Sequence, residues 1–280
     1  MMGAGGKLMS NHESSGEPAC EPANSPTDRP KPGVGTCRIR VRVGLICLGL
    51  GVAAWFADPW VREQTRGLQH DLGGDLRREL ELLQQFGDAV TVLIAAIIVW
   101  LMDPSRRRRL LDLIAAAVCT GFVSQVLKMG IGRPRPKLED PGVLMWPWGA
   151  YPIERSDGSG VFHAWEAWEP IRSDLWSMPS SHTSAAVALA VWLGVVYPRL
   201  RPLVIGWVVV VGVSRVLLGA HYLSDVLVGA GVGFVVAHAA VRRYWGVRFM
   251  DWFWVRVVDR KASPALPGVL ERETDQPEAC

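Results

Sequence analysis

Residues 202–241 read PLVIGWVVVVGVSRVLLGAHYLSDVLVGAGVGFVVAHAAV. A helix that crosses a membrane needs about 20 mostly apolar residues, so this stretch is long enough for two crossings. Arg215, His221 and Asp225 interrupt it near the middle. An ionised side chain at the centre of a span costs about 2.5–3.5 kcal/mol on insertion scales, and a purely structural bundle avoids it. Folding the stretch into antiparallel spans, 202–221 and 222–241, carries all three residues to one end. Arg215 then lies about 9 Å along the helix from His221, at 1.5 Å per residue.

The same pattern extends outward along the chain. Of 280 residues, 49% are hydrophobic, and 13 tryptophans stand against seven phenylalanines. Tryptophan concentrates at membrane–water interfaces. Apolar segments at 39–58, 86–103, 110–129 and 180–198 bring the expected spans to six, so the expected fold is all-α, a polytopic membrane bundle over residues 37–248. The formal net charge of +3 gives no sign of a nucleic-acid partner. The basic residues are instead local, at Arg38/Arg40/Arg42, Arg106 to Arg109, Arg199/Arg201 and Arg242/Arg243. Each cluster abuts an apolar run. With the N-terminus in the cytoplasm all four clusters fall on the cytoplasmic side, as the positive-inside rule requires. Both termini are then cytoplasmic, and the loop 137–177, with Trp146, Trp148, Trp165, Trp168 and Trp176, faces out. The expected location is a cell membrane, specifically a bacterial inner membrane.

Residues 1–36 hold five prolines, six glycines and no aromatic residue, a composition expected to remain a disordered tail. Residues 249–280 read as a cytoplasmic C-terminal tail. Within 61–85, Leu68, Leu72, Leu76 and Leu80 repeat at i, i+4, which predicts an amphipathic helix on the outer leaflet, weakened by Gly73-Gly74. The five cysteines show neither metal-ligand nor disulfide spacing.

Lys128 ends the third span, Arg133 and Arg135 follow it, and His182 opens the fourth. With Arg215, His221 and Asp225, charges from four spans converge on one outward-facing pocket. Transporters place such groups near the bilayer midplane, whereas an enzyme acting on a lipid headgroup needs them at the interface. Lys128, Arg135 and Arg215 against Asp225 make a cationic site suited to a multiply charged anion, above all phosphate. At Ser177–Ala186, SMPSSHTSAA, Ser180 precedes a helix whose first N–H groups are an anion site. His182 in the first turn is placed to protonate a leaving oxygen. No metal-ligand cluster occurs and the pocket would repel a cation, so no metal or other cofactor is expected. His163 reads as a surface residue, His238 as structural, and Arg106 to Arg109 as a topology signal.

These residues carry a resemblance. Lys128 with Arg135-Pro136 (KMGIGRPRP), Pro179-Ser180-Ser181-His182, and Ser214-Arg215…His221…Asp225 (SRVLLGAHYLSD) resemble, in order, the three motifs of the type 2 phosphatidic acid phosphatase superfamily. The resemblance implies a helical phosphatase core and assigns roles. Lys128, Arg135, Arg215, Ser180 and the Ser181 N–H would bind phosphate. His221 would be the nucleophile, Asp225 its orienting group, and His182 the general acid. Ser181 stands where the pattern has glycine and puts the tightness of that loop in question. The implied activity is membrane lipid phosphatase, cleaving a phosphomonoester or diphosphate at the extracytoplasmic face through a phosphohistidine. The alternatives are a lipid phosphotransferase and a lipid-phosphate transporter or flippase using the same pocket. Phosphatidic acid, phosphatidylglycerol phosphate, undecaprenyl diphosphate and lipid A phosphates all present the required anion. His221 is expected at the mouth of the pocket, with its Nδ1 proton on Asp225.

Overall fold

The computed structural model describes residues 34–138, 141–155 and 158–274. The tail expected at 1–36 lies outside the described residues up to 33. Helix α1 (Val34–Trp55) is followed after two residues by α2 (Asp58–Asp71), with a bend of 79° between them. Helix α3 (Gly74–Leu83) runs through a short turn at Gln84–Gly87 into α4 (Ala89–Met102), with a bend of 59°. Asp88 precedes α4 as its N-cap residue, and its Oδ1 accepts from the Ala89 N–H at 2.6 Å, satisfying the first free donor of the helix. Helix α5 (Leu110–Ile131) ends at Gly132, whose φ of +58° closes the helix at low steric cost.

Beyond α5 the chain forms an antiparallel hairpin, β1 (Ala150–Arg155) with β2 (Gly158–His163), Ala150 opposite His163. A single turn, α6 (Arg172–Leu175), leads back to the bundle. Helices α7 (Ser181–Val196), α8 (Arg201–Leu217) and α9 (Leu223–Arg242) follow, then α10 (Trp245–Phe253) and α11 (Leu266–Thr274).

The core lies between α5, α7 and α9, where Leu113, Ala116, Leu189, Trp192, Ala237 and Val241 are buried together. The Trp192 indole N–H donates to the Arg109 carbonyl at 2.8 Å, so its polar edge is satisfied. Phe122, Ile97, Ile205 and Val209 face outward and are exposed. Helices apolar on both faces fit a lipid surround. A methyl group on Gly229 would meet the Ser180 carbonyl oxygen at 2.7 Å, and one on Gly233 the Ser184 carbonyl oxygen at 2.5 Å. Only a bare backbone lets α9 lie this close to the start of α7. The Ser180 N–H donates to the Asp225 carbonyl at 3.0 Å across that contact.

The structure modifies several expectations. Among the described residues three helical segments suffice by length and composition to cross a membrane, Pro104–Leu138, Pro198–Leu217 and Leu223–Arg242, and up to five spans result if each bent pair is one span. Helix α7, at 16 residues, is apolar but short. The chain is thus a mostly helical membrane protein without a clean count of six. The expected 202–221 span stops at Leu217, because 218–222 turn to deliver His221 to α9. The all-α expectation missed the hairpin, which packs Phe162 and Ile153 with Met145, Ala164 and Leu175 into a small core of its own. The amphipathic segment 61–85 is broken at Leu72-Gly73 into α2 and α3.

The expected tail 249–280 is helical over much of its described length. Asp112 accepts from the Gly246 and Val247 N–H groups at 2.9 and 3.2 Å, capping α10. Arg109 is buried, bonded to Asp112 at 2.5 Å and to Glu273 of α11 at 3.0 Å, with the Tyr244 ring 4.3 Å from its guanidinium carbon. This arginine therefore holds helices together, a role beyond the topology signal expected of it.

Candidate active site

Two short segments, one following α5 and one running from α6 to α7, pair beside the site. After Gly132 ends α5, the Arg135 N–H donates to the Asp174 carbonyl at 2.7 Å, and the Ser177 N–H to the Arg133 carbonyl at 2.8 Å. This pairing brings the end of α5 beside the start of α7. Lys128, buried in the last turn of α5, donates from Nζ to the Trp176 carbonyl at 3.1 Å. Arg215, buried in the last turn of α8, donates from Nη1 to Gln84 Oε1 at 2.5 Å. The charges of Lys128, Arg135 and Arg215 act on one another and all three reach His182. The Nε atoms of Arg135 and Arg215 are buried with no partner among the described residues.

Ser180 is the N-cap residue of α7, but its side chain makes no cap hydrogen bond to the first turn. Its hydroxyl instead accepts from Thr183 Oγ1 at 3.0 Å. The first N–H groups of the helix are therefore not claimed by that cap, and they carry the positive end of the helix dipole. Ser181 is the first helical residue and does not have a positive φ. A serine thus fits where the motif has glycine, without backbone strain.

His221 sits in the turn between α8 and α9 and is only 2% exposed. This corrects its expected place at the mouth: the side chain is enclosed. Its N–H donates to the Arg215 carbonyl at 3.2 Å, tying the turn to the end of α8. Nδ1 lies 3.3 Å from Ser177 Oγ and 3.6 Å from Asp225 Oδ2. Ser177 Oγ donates to Asp225 Oδ2 at 2.5 Å, so this hydroxyl bridges the ring and the carboxylate where direct contact was expected. Asp225 Oδ2 also accepts from the Tyr222 N–H at 2.9 Å, and Oδ1 accepts from Arg133 Nη1 at 2.7 Å. Burial is the main force pulling the His221 pKa down, to about 3, with Arg215 and Lys128 adding to it and Asp225 opposing. Burial therefore favours the neutral ring, whose Nδ1 faces Ser177 and Asp225.

A cleft of about 300 Å³ beside His221 is bordered by Arg62, Arg66 and Gln69 of α2 and by Lys137. His163 and His238 stay apart from the site: His163 stacks on Trp165 at 5.9 Å and His238 on Phe234 at 5.5 Å. Among the described residues no three His, Cys, Asp or Glu side chains group as a metal site. Sequence reasoning missed Ser177, Gln84 and Asp58, and it left Arg133 with no assigned partner. Ser177 has no motif signal. For Arg133 one signal existed: a buried cation demands a carboxylate, and only Asp225 had been found.

An enclosed histidine, the cations Lys128, Arg135 and Arg215, and a helix N-terminus without a side-chain cap form a cationic site of a kind that suits an anion. Residues 109–249 match the sequence model of the PAP2 superfamily, half of the chain, and the chain belongs to that superfamily. It is 25% identical over 169 residues to lipid A 1-phosphatase of Rhizobium etli, covering 55% of this chain and 65% of the relative. The lipid A 1-phosphatase of Rhizobium johnstonii matches at the same identity, over 62% of its length. The chain thus spans less than two-thirds of either relative. Among solved structures it is similar to Aquifex aeolicus LpxE (TM-score 0.47, 19% identity, 64% of this chain and 93% of that one). It is also similar to the transmembrane PAP2 type phosphatidylglycerolphosphate phosphatase from Bacillus subtilis (TM-score 0.49, 20% identity, 73% and 94%).

Proposed function

We propose that this protein is a lipid phosphatase of the membrane, removing phosphate from a lipid phosphomonoester or diphosphate through a phosphohistidine on His221. The observation that carries the reading is the His221 ring, buried, neutral and fixed at Nδ1 by Ser177 and Asp225. A histidine that served only to bind an anion would gain from being protonated, and burial opposes that.

In the proposed reaction Lys128, Arg135 and Arg215 neutralise the phosphoryl oxygens, with Ser180 and the Ser181 N–H at the helix end beside them. Nε2 of His221 attacks phosphorus while the P–O bond to the lipid breaks. His182, protonated once the phosphate dianion is bound beside it, gives that proton to the departing oxygen. Nδ1 keeps its proton, so the phosphorylated ring is cationic and is stabilised by Asp225 through Ser177. Water, losing a proton to His182, then attacks phosphorus and releases inorganic phosphate and free His221. Three cations supply the charge neutralisation that other phosphatases draw from a divalent ion, so the reaction needs no metal. The arginine clusters support an extracytoplasmic active site with both termini in the cytoplasm.

The test is a rapid quench of detergent-purified protein with ³²P-labelled lipid phosphates. The panel holds phosphatidic acid, phosphatidylglycerol phosphate, undecaprenyl diphosphate and lipid A 1-phosphate, the last because of the two named relatives. Acid-labile label on His221 and phosphate release from at least one lipid are expected. Label on another residue, or tight binding of every lipid without release, would overturn the reading.

A further inference from the structure

Behind Asp225 lies a second charged cluster, centred on Arg133. The Arg133 side chain is wholly buried, its guanidinium carbon 4.0 Å from the centre of the Trp55 ring and 4.0 Å from that of Tyr222. One arm of its fork, Nη1, donates to Asp225 Oδ1 and to Ser224 Oγ, each at 2.7 Å. The other arm, Nη2, donates to Asp58 Oδ2 and to the Pro141 carbonyl, each at 2.8 Å. Asp58, equally buried, accepts the Ser224 N–H at Oδ1 at 3.0 Å and the Ser224 hydroxyl at Oδ2. It opens α2 and lies outside the residues that match the superfamily.

We propose that Asp58 and Arg133 are positioning residues that fix Asp225 from behind and leave the cluster one negative charge in excess beside His221. The inference rests on the phosphohistidine reading above. Two carboxylates and one guanidinium sum to a single negative charge, buried where water cannot screen it. His221 becomes cationic as Nε2 bonds to phosphorus, and a fixed negative charge beside it stabilises that step more than the resting state. The planar fork supplies geometry as well as charge: both arms are used, and the faces are clamped by two rings. A lysine would keep the charge and lose the fork. α2 thereby sets the aim of a carboxylate carried by α9.

A cluster that merely fastened α2 to the bundle would affect stability and leave the chemical step alone, so the rate of phosphoenzyme formation in folded protein is the discriminating measurement. Asp58→Asn keeps the shape and removes the charge. It should slow phosphoenzyme formation on the order of 10–100-fold, the scale typical of outer-shell changes, with KM unchanged. Arg133→Lys should slow the same step. Arg133→Met leaves two carboxylates facing each other. Adding Asp58→Asn to it restores the net charge and should recover part of the lost rate. Thermal midpoints in detergent establish that each variant is folded, and Asp58→Asn with Arg133→Lys suffice if Arg133→Met does not fold. Folded Asp58→Asn with the wild-type rate, or a double variant slower than Arg133→Met alone, would overturn the clamp. The wild-type label separates the two readings: label on His221 with an unaffected Asp58→Asn defeats the clamp alone, and label elsewhere defeats the phosphohistidine.

Discussion

Replacing Ser177 with alanine removes a single oxygen, and the structure places that oxygen at two contacts. It donates to Asp225 Oδ2 at 2.5 Å and stands 3.3 Å from His221 Nδ1. The site is closed, with Ser177 and Asp225 fully buried, so no bulk water replaces the hydroxyl without cost. A hydrogen bond to a charged group is worth about 1.5–3 kcal/mol. At 1.36 kcal/mol per tenfold, full expression in the transition state would slow the chemical step about 10- to 150-fold. Asp225 keeps the Tyr222 N–H and Arg133, so the carboxylate stays in place and the loss should fall in the lower part of that range. The hydroxyl faces the non-attacking side of the ring, so substrate binding should not change. Single-turnover phosphate release in detergent measures the step directly, and saturation kinetics give KM. A rate equal to wild type, or a raised KM at unchanged kcat, would refute the bridging role of Ser177.

The His221 pKa, pulled down to about 3 chiefly by burial, keeps the ring neutral throughout pH 5–8. The ring resonance that disappears in His221→Ala should hold its neutral-imidazole NMR shift across that window, and a midpoint near 6.5 would contradict it. Activity should survive excess EDTA, while vanadate should compete with substrate for the cationic site; a strict requirement for magnesium would sink the metal-free mechanism. Single cysteines in 137–177 should react with an impermeant reagent from outside, and those near Arg106 or Arg199 only after permeabilisation; the opposite pattern reverses the topology.

The apolar segments and the candidate residues Lys128, Arg135, His182, Arg215, His221 and Asp225 stood out in the sequence for an energetic reason. Ionisable groups are so costly in an apolar run that their placement is informative before any fold is known. The leucine repeat at 61–85 predicted one helix weakened by Gly73-Gly74, and the structure breaks it there into α2 and α3. Only the tertiary structure decided that His221 is enclosed, that Ser177 bridges it to Asp225, and that Asp58 closes the circuit through Arg133. These partners stand 44, 75 and 166 residues apart, for Ser177–His221, Asp58–Arg133 and Asp58–Ser224. A hydrogen bond between residues so distant leaves no periodicity in the chain. It exists because Gly229 lets α9 approach α7 within reach of the Ser180 backbone, and because the bend after Trp55 turns α2 across the end of α9.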